Sequence, residues 1–236
     1  MTINISIDGT DGTGKTTMVK LLRQKYPYYL IEDRGILTKL TDVYDDSLPE
    51  TLDADKIYII LSSDVQTCQD RIDKRGGPLD YYDSAEGIYL YRNRFIRLAI
   101  RYQTYYLDNT LQSPSETFIH IEKIIQDHKN PNLCYKLPNP DLLDIHQLPI
   151  IREGCSKIVR SVNDDYNLIQ YKPTVYSHKS LREGCVAGTD IERMQMTRDI
   201  IYLTEKSMIP HAYVYVGKKY ILCKKLNIDL DIPNIE

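Results

Sequence analysis

Ile3-Asn4-Ile5-Ser6-Ile7-Asp8-Gly9-Thr10-Asp11-Gly12-Thr13-Gly14-Lys15-Thr16-Thr17 decides how the first half of the chain folds. An apolar run starting at Ile3 gives way to glycines, a lysine and hydroxyls at the spacing GxxxxGK[ST], and a helical pattern follows. A glycine-rich loop that opens a helix turns backbone N–H groups and the positive end of the helix dipole toward one point, so the stretch predicts a phosphate cradle. In that reading Gly9, Thr10, Asp11, Gly12, Thr13, Gly14, Lys15, Thr16 and Thr17 form the cofactor-binding loop. Lys15 would reach the β- and γ-phosphates of ATP and Thr16 would ligate Mg²⁺. A glycine turn without chemistry can meet the pattern by accident, but rarely between a strand-like run and a helical one.

Composition narrows the remaining classes. The 236 residues suffice for one large domain or two small ones, and 42% hydrophobic with 27% charged residues is the balance of a soluble globular protein. No apolar run approaches the roughly 18 residues that span a bilayer, so no membrane partner and a cytoplasmic location are expected. The five cysteines (Cys68, Cys134, Cys155, Cys185, Cys223) form no CxxC, against both a disulfide framework and a zinc ribbon. Cys155, Cys185, His178 and His211 are spaced too irregularly to suggest a metal site. Cys155 and Cys185 each close an Arg-Glu-Gly-Cys tetrad, too short to indicate a duplication.

Prolines 131, 138, 140 and 149 with Asn130, Asn132 and Asn139 resist regular structure, so residues 131–149 are expected to link a domain at 1–130 to one at 150–236. Through Gln147 there are 17 basic and 22 acidic residues, and from Leu148 onward 13 and 11. Neither half carries the basic excess of a general nucleic-acid binder. In the first half, strands are expected at Ile3–Ile7, Tyr28–Ile31, Ile57–Leu61 and Thr117–Ile121, and a helix at Lys15–Lys25. A long helix is expected to carry a core stripe of Ile88, Tyr91, Phe95, Leu98, Tyr102 and Tyr105. The pattern predicts an α/β fold, a P-loop parallel sheet with flanking helices.

Gly9 to Thr17 is similar to the xGxDGxGKTT loop of the thymidylate kinases and related P-loop nucleotide kinases, with Asp11 as the discriminating residue. Asp33-Arg34, followed by Thr38 and Tyr44, resembles that family's DRxxxSxxxY segment. Asp70-Arg71-Ile72-Asp73-Lys74-Arg75-Gly76-Gly77-Pro78-Leu79-Asp80 resembles its lid entry, ERIxxRGxxxD. The resemblance implies that Asp11 contacts the acceptor's sugar hydroxyl. It also implies that Arg34 holds the acceptor phosphate, and that Asp33 helps place that phosphate or the metal. Arg71 and Arg75 would close over the transferring group, where a forked, always-charged guanidinium suits the spreading negative charge. Standing alone, that arginine pair is equally a solvated, salt-bridged helix face.

The chain departs from the family between Lys15 and Asp33, which are only 18 residues apart. The family's extra strand and helices, with much of its acceptor-base pocket, have no room there. The acceptor is therefore a nucleotide held by other tyrosines or something larger, such as a hydroxyl on DNA or RNA. Arg94, Arg97 and Arg101 recur on one helical face and could follow a phosphate backbone, although a solvated face is the commoner meaning.

Ile151 to Val159, Leu168 to Lys172, a helix near Ile191 to Met208, and Tyr220 to Leu226 resemble the N-terminal lobe of SAICAR synthetase, an ATP-dependent amide-forming enzyme. The resemblance implies a smaller α+β domain with an antiparallel sheet. Of the family's Gly-Lys-x-Lys phosphate contact only Gly154 and Lys157 remain, and Pro173 to Ser177 replaces its acidic and hydroxyl pattern. The sequence stops at Ile232 to Glu236, where the second, metal-binding lobe would begin, so SAICAR synthesis by this chain alone is not expected. Thr189 with Glu192 reads as a capping box, Ile191, Met194, Ile201 and Met208 as a core stripe, and Gly217-Lys218-Lys219 as a hairpin turn.

Together these readings give an ATP- and Mg²⁺-dependent nucleotide kinase with Lys15, Asp33, Arg34, Arg71 and Arg75 as catalytic residues and Thr16 and Asp33 at the metal. The expected partner is a nucleotide, in nucleotide biosynthesis, with nucleic acid less favoured and a homo-oligomer left open. Transfer to a polynucleotide hydroxyl and ATP binding without catalysis are the two alternatives.

Overall fold

The fold is taken from a computed structural model that describes residues 3–43, 47–128, 135–177 and 182–226. Tyr44, Cys134, His178 and the stretch Ile232 to Glu236 lie outside the described residues. The chain divides into two compact units, Met1–Leu137 and Pro138–Glu236. The division falls within the stretch 131–149. Lys136 bridges to Tyr105 and Leu137 packs on the first unit's core, while Asp141 accepts the backbone N–H of Lys218 within the second.

In the first unit, β1 (Asn4–Gly9), β2 (Leu30–Asp33), β3 (Lys56–Ser62) and β4 (Tyr105–Asp108) form one all-parallel sheet in the order β2-β1-β3-β4. Strand alternation sorts the two faces. Ile5, Ile7, Ile57, Ile59, Leu61, Tyr105 and Leu107 pack against Met18, Val19 and Leu22 of α1 (Lys15–Lys25) and Ile121, Ile124 and Ile125 of α5 (Pro114–Asp127). Tyr58 and Ile60 face Leu37 and Leu40 of α2 (Ile36–Leu40) and Phe95, Leu98 and Ala99 of α4 (Ala85–Tyr102). The third helix, α3 (Val65–Arg75), buries Cys68 and Ile72 against Ile88 of α4. A parallel sheet covered on both faces reads as continuous apolar strands, as β3 does.

Two expectations in this unit are corrected. Thr117–Ile121 is not the last strand but lies inside α5, where a capping box between Ser113 and Glu116 and Pro114 in the first turn start a helix. Its buried positions, Thr117, Ile121, Ile124 and Ile125, follow a helical period, and Ile119 is 62% exposed. The last strand is β4, so Tyr105 leaves the expected helical stripe. Gln103 in the left-handed conformation (φ 51°) ends α4 at Tyr102.

The second unit has an antiparallel sheet in the order β10-β11-β7-β6-β5, made by β5 (Ile150–Glu153), β6 (Lys157–Ser161), β7 (Tyr166–Tyr171), β10 (Tyr213–Val216) and β11 (Ile221–Lys224). A separate ladder pairs β8 (Thr174–Ser177) with β9 (Arg182–Cys185). One long helix, α6 (Thr189–Lys206), contributes buried Met194 and Ile201, whereas Ile191 and Met208 are exposed. The expected capping box is absent. Left-handed Gly188 precedes the helix, and the Thr189 hydroxyl turns back to the carbonyl of Val186. The hairpin at Gly217-Lys218-Lys219 forms as expected.

Candidate functional site

The carboxyl ends of β1, β2, β3 and β4 converge on the segment Gly9–Gly14. The strand order reverses its direction of growth around β1, the location at which open α/β sheets leave a crevice for ligands. Backbone shape within the segment is dictated by contact. A Cβ on Gly9 would stand 2.1 Å from the carbonyl oxygen of Leu61, and one on Gly12 would stand 2.5 Å from that of Cys68. Gly12 and Gly14 are left-handed (φ 78° and 83°), and α1 starts directly from Gly14 with no acidic residue in its first turn. The first N–H groups of α1 are therefore without intrahelical acceptors and without a neutralising side chain.

The side chain of Lys15 is buried and turns back over the loop. Its Nζ donates to the carbonyl of Thr10 at 2.6 Å and lies 3.6 Å from Asp11. Burial pulls its pKa below the ordinary lysine value, while the Asp11 carboxylate pushes it back up. Thr13 donates to the same Thr10 carbonyl at 2.8 Å. On the β2 side, the Thr16 hydroxyl donates to Asp33 Oδ2 at 2.8 Å. The other oxygen, Oδ1, is buried and has no hydrogen-bond partner among the described residues. Arg34 follows in the left-handed conformation (φ 61°) and reaches across to Asp11 Oδ1 at 2.6 Å, with its side chain 54% exposed.

The two lid-like arginines do not converge. Arg71 lies against the loop, with Nη1 3.4 Å from the carbonyl of Gly12 and 2.9 Å from Ser63 Oγ, and Nη2 3.0 Å from the carbonyl of Asn109. Arg75 extends the other way to Asp83 at 3.1 Å and is half exposed. Arg71 thus braces the loop, and Arg75 is held outside it. Of the arginines on α4, Arg94 pairs with Asp42 at 3.1 Å and stacks on Tyr91.

Three residues that sequence reasoning missed complete the site. Asp8, fully buried, accepts from the Ser6 hydroxyl and from the backbone N–H and hydroxyl of Thr38, fastening α2 to β1. Its trace in the sequence is a serine and an aspartate alternating with Ile5 and Ile7 in a strand that should be apolar on both faces. Asn109, just beyond β4, donates to the carbonyl of Thr13 at 2.9 Å and accepts from Ser63 and Arg71. Arg92 donates to Ser62 Oγ and pairs with Asp108. Asp108 and Asn109 belong to β4 and its exit, a strand that the alternating pattern at 117–121 obscures in the sequence.

The oxygen donors at Thr16 and Asp33 fit Mg²⁺, which takes one or two protein oxygens and completes its shell with water and phosphate. The partnerless Oδ1 of Asp33 is the specific reason. Among the described residues no three His, Cys, Asp or Glu side chains gather around one point. No family model matches the chain, and no curated protein matches it. Among the described residues no helix is long and apolar enough to cross a membrane.

In the second unit, Gly154 donates its N–H to the carbonyl of Lys157 at 2.9 Å in the turn between β5 and β6. Lys172 pairs with Glu153 beside it at 2.6 Å, and Arg193 of α6 donates to the carbonyls of Lys172 and Thr174.

Proposed function

We propose that the chain is an ATP- and Mg²⁺-dependent phosphotransferase resembling thymidylate kinase, which moves the γ-phosphoryl group of ATP to a deoxynucleoside monophosphate or a derivative. The observation that carries this reading is the pairing of Thr16 with Asp33 at 2.8 Å, with a spare buried carboxylate oxygen, at the mouth of a glycine loop backed by buried Lys15.

In this mechanism the loop amides from Gly9 to Thr17 and the Lys15 ammonium hold the β- and γ-phosphates. The incoming anionic oxygens favour the charged ammonium that burial disfavours. Thr16 and Asp33 would hold Mg²⁺, which would supply charge neutralisation at the phosphate oxygens. Exposed Arg34 exchanges Asp11 for the acceptor phosphate, leaving Asp11 to meet the acceptor's sugar hydroxyl. An acceptor oxygen forms a bond to the γ-phosphorus as the bond to the β–γ bridging oxygen breaks, ADP leaves with that electron pair, and an acceptor hydroxyl would give its proton to the Asp11 carboxylate. Arg71 keeps the loop against β3 and β4, and Arg75 closes over the group only after releasing Asp83. The second unit, similar to a SAICAR-synthetase lobe, is an accessory domain in this reading.

A polynucleotide hydroxyl is the second acceptor class. It is favoured by the open, polar surface beside Asp33, whose lining among the described residues contains no aromatic ring. The test offers labelled ATP and Mg²⁺ with each of the deoxynucleoside monophosphates and with single-stranded DNA and RNA. Transfer that disappears in Lys15→Ala, with the fold retained by circular dichroism, is expected. ATP binding without transfer to any acceptor would instead identify a non-catalytic nucleotide-binding module, and full transfer by Lys15→Ala would sink the mechanism.

A further inference from the structure

Next to Asp33, the β2 edge of the sheet is thinly covered. Only Tyr26 to Tyr29 separate α1 from β2, and α2 has five residues, so Glu32 remains 56% exposed. A trough of about 510 Å³ lies there. Its charged lining comes from separate elements: Arg23 of α1, Glu32 and Asp33 of β2, Arg34 after it, Lys39 of α2 and Lys56 of β3. Four cations therefore meet two carboxylates. Arg23 spends one nitrogen on the carbonyl of Ile31 at 2.7 Å, and Lys56 sits on Glu32 at 2.5 Å. Lys39 makes no hydrogen bond or ion pair among the described residues. The apolar lining is limited to Ile31 and Ile36.

Those groups suit one kind of ligand better than another. A pocket for a free nucleotide encloses its base between apolar or aromatic side chains, whereas this trough is open and among the described residues has no ring in its lining. Guanidinium forks and ammonium points on neighbouring elements match a succession of phosphates. Asp33 belongs both to the trough and to the Thr16 pair, so a bound strand would run directly past the transfer site.

We propose that this trough binds the sugar–phosphate backbone of a single-stranded nucleic acid, through Arg23, Lys39 and Lys56, and presents a hydroxyl of that strand to the site at Thr16 and Asp33. The presentation rests on the second acceptor reading, a polynucleotide hydroxyl; the binding rests on neither acceptor. A mononucleotide carries the same phosphate chemistry and is the competing source.

The test uses the full chain and a fluorescein-labelled twelve-residue oligothymidylate, read by anisotropy between about 50 and 200 mM salt, with ATP binding measured separately by calorimetry. Three phosphate contacts predict a slope of log K against log salt of about −2, from roughly −0.7 per contact on a single strand. Lys39→Ala should flatten that slope by about 0.7, and Lys39→Glu should weaken binding by about tenfold. Neither substitution strands a partner, and ATP binding should not change. Thymidine monophosphate at equal nucleotide concentration should not displace the strand. A chain that binds ATP but not the oligonucleotide, binding indifferent to both Lys39 variants, or displacement by the monophosphate would each overturn the proposal. Strand binding without ATP binding would leave the trough assignment standing and remove the phosphotransferase reading.

Discussion

Replacing Gly12 and Gly14 one at a time with alanine separates two costs that the glycine loop imposes. Both residues are left-handed, at φ 78° and 83°, so each alanine incurs about 1–2 kcal/mol of backbone strain. That is partly offset by about 0.4–1 kcal/mol from a less flexible unfolded chain. Their surroundings differ. At Gly14 nothing lies within 4 Å of the new methyl, whereas at Gly12 it would stand 2.5 Å from the carbonyl oxygen of Cys68 and 2.7 Å from its Cα. Those are backbone atoms of α3, and the Cys68 side chain is itself buried with Ile72 and Ile88, so the loop has to lift. Overpacking of this kind costs about 1–3 kcal/mol more. Gly12→Ala should therefore exceed Gly14→Ala by that amount, which is about 5- to 150-fold in the local opening constant. Hydrogen exchange by mass spectrometry on peptides from β1, α1 and α3 reads it directly. Equal protection in the two variants would refute the contact between the loop and α3.

Lys15→Met removes a buried charge while keeping the length of the side chain. The chain without nucleotide should be at least as thermally stable as the parent at neutral pH, while ATP binding is lost. Because burial lowers the folded pKa of Lys15, the unfolded chain holds more protons between that value and 10.5. The parent should therefore gain stability on the variant as pH rises through that window, and parallel stability curves would contradict the burial. Asp33→Asn should raise the Mg²⁺ concentration needed for half-maximal turnover by at least about tenfold, measured by metal titration at saturating ATP. An unchanged titration would remove Asp33 from the metal. Asn109→Ala leaves Arg71 and Ser63 without one acceptor and Thr13 without its donor. The first unit should lose about 1–3 kcal/mol in urea unfolding followed by hydrogen exchange.

What could be read from the sequence was what neighbouring residues enforce on one another. The span of α1, Lys15–Lys25, follows from the glycine loop and the helical period after it, and β3 from its uninterrupted apolar run. Thr117-Phe118-Ile119-His120-Ile121 misled because alternation over five residues imitates a strand. The Ser113–Glu116 cap and the buried Ile124 and Ile125 settle it as helix. At Thr189 the reverse happened: the residues of a capping box are present, yet Gly188 takes the turn and the hydroxyl has another acceptor.

The glycine loop, the helix it opens and the apolar strands behind it are local properties of the chain, since glycine conformation, side-chain period and residue chemistry act over a few positions. That Thr16 meets Asp33, that Arg71 braces Gly12 and Asn109 instead of converging with Arg75, and that Asp8 holds Thr38 emerge only when the sheet is assembled. Those contacts join the ends of different strands, and strand order in a sheet is fixed by how two faces of apolar side chains are covered at once, a property that no local window contains.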